Sequence, residues 1–162
     1  MLFMIVKSET TALLGAIPCF PLSRGNVHIT SPDVNDMPAI DPRFFDNEFD
    51  LEILARHVQI LQIFTDMEAL EPFLQKITLE PSISRIKDML RQESALTTHH
   101  VCGTAAMLPR EVGGVVDQEL KVYGTKNLRV VDASIFPLIP HANPIATVYA
   151  VAERAADITR GK

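Results

Sequence analysis

This chain has too few cysteines to be held together by them. Cys19 and Cys102 make at most one bridge and show no metal-ligand spacing, so a disulfide framework and a cysteine metal site are both excluded. A reduced, intracellular setting is the expectation. Tryptophan is absent and aromatic residues make up 6% of the chain. The net charge is −5, with Lys and Arg scattered along the chain. No basic patch of the kind that tracks phosphates is present, and nucleic acid is not an expected partner. Long hydrophobic runs are also missing. The opening Met1 to Val6 is cut short by Lys7, Ser8 and Glu9, with no basic segment before it, and no stretch approaches the roughly 20 apolar residues that span a bilayer. A soluble cytoplasmic protein, away from any membrane, is expected. Among seven glycines, no two stand in a Gly-x-Gly arrangement.

What is present is enough for a core. The 162 residues are one domain's worth, 47% of them hydrophobic, and the mean hydropathy is +0.14. Strands are predicted over 2–6, 12–20 and 26–30, where apolar runs or alternation end at turn residues. Residues 32–50, with Pro32, Pro38, Pro42 and several Asp and Asn, read as a wrapping loop. From Leu51 to about Thr65 apolar residues recur at helical spacing, with Asp50 as the expected N-cap. Shorter helices are predicted over 68–77 and 82–91, divided by Pro81, with Ser82 as a cap for the second. Met67, Leu70, Phe73, Leu74, Met89 and Leu90 are expected as core residues without chemistry. Residues 120–123 and 128–132 are β-like around a 124–127 turn. The last helix runs from about Ile145 to Thr159, with Ile145, Val148, Tyr149, Ala152, Ala155 and Ala156 on one face. The fold class is α+β, an antiparallel or mixed sheet with helices packed on one face, followed by a C-terminal strand and helix.

Four ordered segments of the last third carry a resemblance. They are His100-Val101-Cys102-Gly103-Thr104, Gly114-Val115-Val116-Asp117, the strand from Leu128 to Pro137, and the helix from Asn143 to Asp157. At this spacing the chain resembles the C-terminal portion of the glucose-methanol-choline (GMC) family of flavin oxidoreductases. Pro21-Leu22-Ser23-Arg24-Gly25-Asn26-Val27 and Pro38-Ala39-Ile40-Asp41-Pro42-Arg43-Phe44 extend the likeness back to about Pro21. The resemblance implies a single GMC C-terminal-like domain over 1–162. Its 1–127 part is substrate-domain-like, and 128–162 is the strand and helix that dock on the flavin domain in full-length relatives.

The resemblance also implies a site. His100 corresponds to the residue that handles the substrate's hydroxyl proton, and Asn143, six residues before Tyr149, to its partner. His141 lies two residues upstream of that position and is the other residue able to orient the substrate oxygen. Imidazole suits proton transfer near neutral pH, whereas a carboxamide can hold an oxygen but not act as a base there. Asp132, Ala133, Asn143, Pro144 and Thr147 correspond to residues that contact FAD. Asp132 also reads as a turn or cap carboxylate, His99 as a structural loop residue, and Cys102 as a small buried residue. No metal is expected.

The family's Gly-x-Gly-x-x-Gly fingerprint, which admits a pyrophosphate at a helix N-terminus, is missing. No cofactor is therefore expected on this chain alone, and FAD only with a partner flavin domain. Three functions stand open: flavin-free, redox-neutral chemistry (isomerisation, dehydration, lyase cleavage or cyclisation) on a small, largely apolar metabolite, in a secondary-metabolite pathway by association; the substrate-binding half of a split FAD-dependent alcohol oxidoreductase; or a non-catalytic remnant. The first is the leading expectation. Val130, Ile135, Phe136, Ile139, Ile145, Val148 and Tyr149 are expected to form an uncovered apolar patch, and a homodimer is the favoured cover.

Overall fold

A computed structural model describes residues 2–8, 11–71, 82–94 and 97–161, with the backbone alone over 2–8, 11–13 and 93–94. The fold is α+β. The chain separates into two compact units, Met1–Leu96 and Thr97–Lys162. The second unit holds together because its segments around 105–107, 115–123 and 128–135 are hydrogen-bonded to one another.

In the first unit β1 (Leu2–Ser8) pairs antiparallel with β2 (Thr11–Ala16), Leu2 opposite Ala16. The second strand ends at Ala16, short of the expected Phe20, because Pro18 and Pro21 have no N–H to give a ladder. β3 (Asn26–His28) pairs with β4 (Ala39–Asp41), Val27 opposite Ile40. The latter strand lies inside the stretch expected to be loop. Pro38 and Pro42 bracket it and hold it to three residues.

Helix α1 (Glu48–Thr65) begins earlier than its apolar periodicity suggests. Its N-cap is Asn47, whose Oδ1 accepts the Phe49 N–H at 3.0 Å, and not Asp50. Asp50 is instead 5% exposed and ties down an irregular segment. It accepts from the N–H groups of Leu22 (2.8 Å) and Ser23 (2.7 Å) and from Ser23 Oγ (2.5 Å). Burial alone would raise its pKa; these bonds and the Arg24 charge outweigh that and hold the carboxyl below its ordinary value.

A single 3-10 turn, Glu68–Leu70, stands where a helix over 68–77 is predicted; residues 72–81, with Phe73, Leu74 and Pro81, lie outside the described residues. Helix α2 (Ile83–Met89) passes into a π turn at Leu90–Ser94, and Ser82 makes no side-chain cap bond. Leu51, Leu54, Ala55, Ile86 and Leu90 form the core of this unit, with Ala16, Phe45, Val58 and Ile83 against it. Met67 and Met89 are exposed, contrary to expectation. Across α1 and α2, Lys87 meets both Glu48 (3.1 Å) and Glu52 (2.6 Å), Arg91 meets Glu48, and Arg56 meets Glu52 one turn along.

The second unit is mostly loop around a small core. The expected strands at 120–123 and 128–132 are isolated bridges, Val116 with Val122 and Lys121 with Arg129. Asp117 explains this. Its Oδ1 accepts the N–H groups of Glu119 (2.8 Å) and Lys121 (2.9 Å), and Leu120 takes φ 65°, so the chain turns back before a strand can extend. Val116, Leu120, Ile135, Phe136 and Ala155 are buried together, and α3 (Ile145–Thr159) packs on them through Val148, Val151, Ala155 and Ile158.

That core corrects the expected apolar patch. Ile135 and Phe136 are 1% and 5% exposed, and Val130 and Val148 pack on the same cluster. Their own unit covers them. The exposed members are Ile145 and Tyr149, at 64% and 69%.

Candidate functional site

The loop that carries His100 is stitched to the turn after residue 132. Gly103 N–H donates to the Ala133 carbonyl (3.3 Å), Ala105 N–H to Ser134 (2.9 Å) and Met107 N–H to Ile135 (2.8 Å). Gly103 has φ 92°, and a Cβ there would lie 3.3 Å from the Phe136 carbonyl oxygen. Gly114 admits no side chain either, since a Cβ would stand 1.8 Å from the Leu108 oxygen. Two motif glycines are thus backbone requirements of the scaffold.

Asp132 closes the same turn. Its Oδ1 accepts the Ser134 N–H at 2.8 Å, which caps the short 3-10 segment Ala133–Ile135. This is the cap carboxylate that its sequence position also allowed.

The structure brings His100 to Asn143. His100 Nε2 and Asn143 Oδ1 are 3.2 Å apart, joining positions 43 residues apart in sequence. A carboxamide oxygen only accepts, so Nε2–H is the donor in this arrangement. His100 is half-buried and Asn143 exposed. His141, the other residue considered for the role, is exposed and two residues upstream. Pro144 and Thr147 are half-buried at the start of α3. Pro144, at the N-cap, gives that helix start no side-chain cap bond, and the first-turn N–H groups of Ile145, Ala146 and Thr147 have no intrahelical acceptor. Cys102 and Cys19 are half-buried and not disulfide-bonded; Cys102 packs on the core of the second unit.

Sequence reasoning set His99 aside as structural, yet its backbone is left-handed, with φ 60°. A Thr two residues before it was the available signal, since Thr97 Oγ1 accepts the His99 N–H at 3.0 Å. Among the described residues, no group of three His, Cys, Asp or Glu side chains is placed to hold a metal, and no helix is long and apolar enough to cross a membrane.

The chain has known counterparts. The chain is 41% identical over 151 residues to the glucose oxidase-like protein fsoC of Humicola fuscoatra, covering 88% of this chain and 25% of that protein. It is 40% identical to the GMC oxidoreductase family protein Mala s 12 of Malassezia sympodialis, covering 87% and 23%. Among solved structures, a fungal aryl-alcohol oxidase superimposes with a TM-score of 0.82 at 38% identity, over 94% of this chain and 25% of the other. Pyridoxine 4-oxidase from Mesorbium loti gives a TM-score of 0.82 at 30% identity, over 89% and 28%. The chain therefore spans about a quarter of the length of the relatives it matches. The family described as GMC oxidoreductase matches residues 21–152, and this chain belongs to it.

Proposed function

We propose that this chain is the substrate side of an FAD-dependent alcohol oxidoreductase, with His100 as acid/base and Asn143 as the group that orients the substrate oxygen. The flavin-binding portion stands elsewhere on the same protein or on a partner chain. The observation that carries the reading is the direct contact between His100 Nε2 and Asn143 Oδ1 at the start of an uncapped helix. The relatives named as oxidases support it over flavin-free isomerase, lyase or cyclase chemistry.

The residues present fit a flavin. The N–H groups at the start of α3 suit an acceptor-rich ring edge, and the helix dipole favours the same polarity there. Ala133, Asn143, Pro144 and Thr147 are the residues that would hold it. Asp132 would join them through atoms other than Oδ1, which accepts the Ser134 N–H. When bound, FAD supplies the acceptor for the hydride that leaves the carbinol carbon.

The chain's own part is the proton. At 3.2 Å no atom fits between Nε2 and Oδ1, so a substrate hydroxyl enters by replacing Asn143 as the partner of His100. The ring then carries its proton on Nδ1 and presents the Nε2 lone pair. Nε2 takes the hydroxyl proton as the C–H bond breaks, and the Asn143 amide, turned to donate, holds the oxygen as it becomes a carbonyl. Ile145 and Tyr149, with Val131 and Leu138, leave apolar surface exposed on this unit, and we assign it to the docking of the flavin-binding portion. The burial of Ile135 and Phe136 removes much of the surface for which a homodimer was the expected cover.

The test is anaerobic mixing of the flavin-loaded protein with a panel of primary alcohols, following the flavin band. Alcohol-dependent bleaching that His100→Ala slows about 100- to 10,000-fold is expected. Turnover of a substrate by protein that holds no flavin would replace this reading with the redox-neutral one.

A further inference from the structure

We propose that His99 is a positioning residue whose left-handed backbone, latched by Thr97, aims the His100 imidazole at Asn143. The proposal rests on the reading of His100 and Asn143 as the working pair. Four non-glycine residues among those described have a positive φ, and His99 is the one that adjoins the candidate base. Left-handed backbone crowds Cβ against the following carbonyl, so glycine or asparagine takes it at least cost, and a β-branched residue resists it. The strain persists at 99 because both sides of the turn are tied. On one side Thr97 Oγ1 takes the His99 N–H at 3.0 Å. On the other, Gly103 is itself left-handed and its N–H is held by Ala133. His100, Val101 and Cys102 are therefore strung between two reversals of the chain. Rotating residue 99 into the extended region would redirect the Cα–Cβ bond of His100, and the 3.2 Å contact to Asn143 would be lost. Local strain held at a functional residue is a recognised form of pre-organisation.

The assignment is to the backbone of His99, not to its ring, and that separates it from ordinary fold maintenance. The measurement is the tautomer of His100, read from its imidazole 15N resonances in protein without substrate. Wild type is expected to favour the Nε2–H form that donates to Asn143, and Asn143→Ala sets the signal for loss of that preference. His99→Gly and His99→Asn should keep the wild-type signal. His99→Val and Thr97→Val should fall to the Asn143→Ala signal, while the backbone amides of α3 stay in place. In flavin-loaded protein the two valine variants should lower kcat on the order of 100-fold. A wild-type tautomer in His99→Val, or its loss in His99→Gly, overturns the proposal, the latter by placing the role in the ring. If His99→Val fails to fold, Thr97→Val with His99→Gly decides on the same terms. A normal tautomer pattern combined with alcohol oxidation that His100→Ala leaves unchanged would overturn the function proposed above and spare the role of His99.

Discussion

The two units solve the problem of placing polar groups in opposite ways. In Met1–Leu96 a carboxylate goes inside: Asp50 is buried, and its three bonds hold residues 22–23 against the start of α1. In Thr97–Lys162 the interior is apolar, the loops are held by backbone bonds, and the side-chain pair His100 and Asn143 meets nearer the surface. A buried carboxylate with all its donors matched is costly to disturb. A pair at the surface can exchange one partner for another with little effect on the fold. On the proposed reading stability and chemistry fall to different polar groups, and removing one should leave the other in place.

The largest effect tests that separation from the chemical side. His100→Ala should lower alcohol-dependent flavin reduction by about 100- to 10,000-fold while leaving the thermal midpoint of the protein nearly unchanged. A comparable loss of stability would mean that the loop depends on the imidazole, and the contrast between the units would fail. From the other side, Asp50→Ala leaves the Leu22 and Ser23 donors without their acceptor and should destabilise Met1–Leu96 by roughly 3 kcal/mol. Urea unfolding measures it. The His100 tautomer should not respond, and a response would show that the two units share their energetics.

Legibility in the sequence follows the same division. Helix α3 was readable because its apolar residues repeat at helical spacing, and it begins and ends where that pattern does. For α1 the pattern placed the body but not the start, because the first turn, Glu48 to Asp50, precedes the residues that repeat. Asp50 looked like a cap since Asp before an apolar run usually is one; its partners lie 27 and 28 residues upstream, beyond any local rule. The β4 strand is three residues between prolines, too short to alternate visibly. Residues 120–131 have β-like composition, but the Asp117 turn decides their geometry, and composition does not report it. The pair of His100 and Asn143 was legible only through the family resemblance, since no spacing rule links positions 43 apart.

Acid should expose the contrast next. Asp50 has a folded-state pKa below its ordinary 3.8, so its contribution is complete above that value and is lost as pH falls through the folded-state value. Burial lowers the pKa of His57, also on α1, and its Nδ1 is a buried atom with no hydrogen-bond partner among the described residues. Its pKa is lowered from 6.5, so protonation opposes the fold as pH drops below 6.5 toward the folded-state value. Both shifts act on Met1–Leu96. Stability followed by denaturant midpoint should decline in two stages, the first removed by His57→Gln and the second by Asp50→Asn. A single stage unaffected by either substitution would assign acid sensitivity elsewhere.

The smallest effect is expected where ion pairs are most numerous. Lys87 joins Glu48 and Glu52 across α1 and α2, and both pairings raise its pKa, Glu52 foremost. Its side chain is largely covered, but Glu48 is exposed and also meets Arg91, while Glu52 also meets Arg56. Lys87→Met keeps the aliphatic stem on the helix and leaves each glutamate one cation, so the network loses its middle and not its ends. The thermal midpoint should fall slightly at low salt and converge on wild type at high salt, where exposed pairs are screened. A large drop that persists in high salt would instead make Lys87 a second interior polar tie in Met1–Leu96, alongside Asp50. The first unit would then depend on paired charge in general and not on one carboxylate.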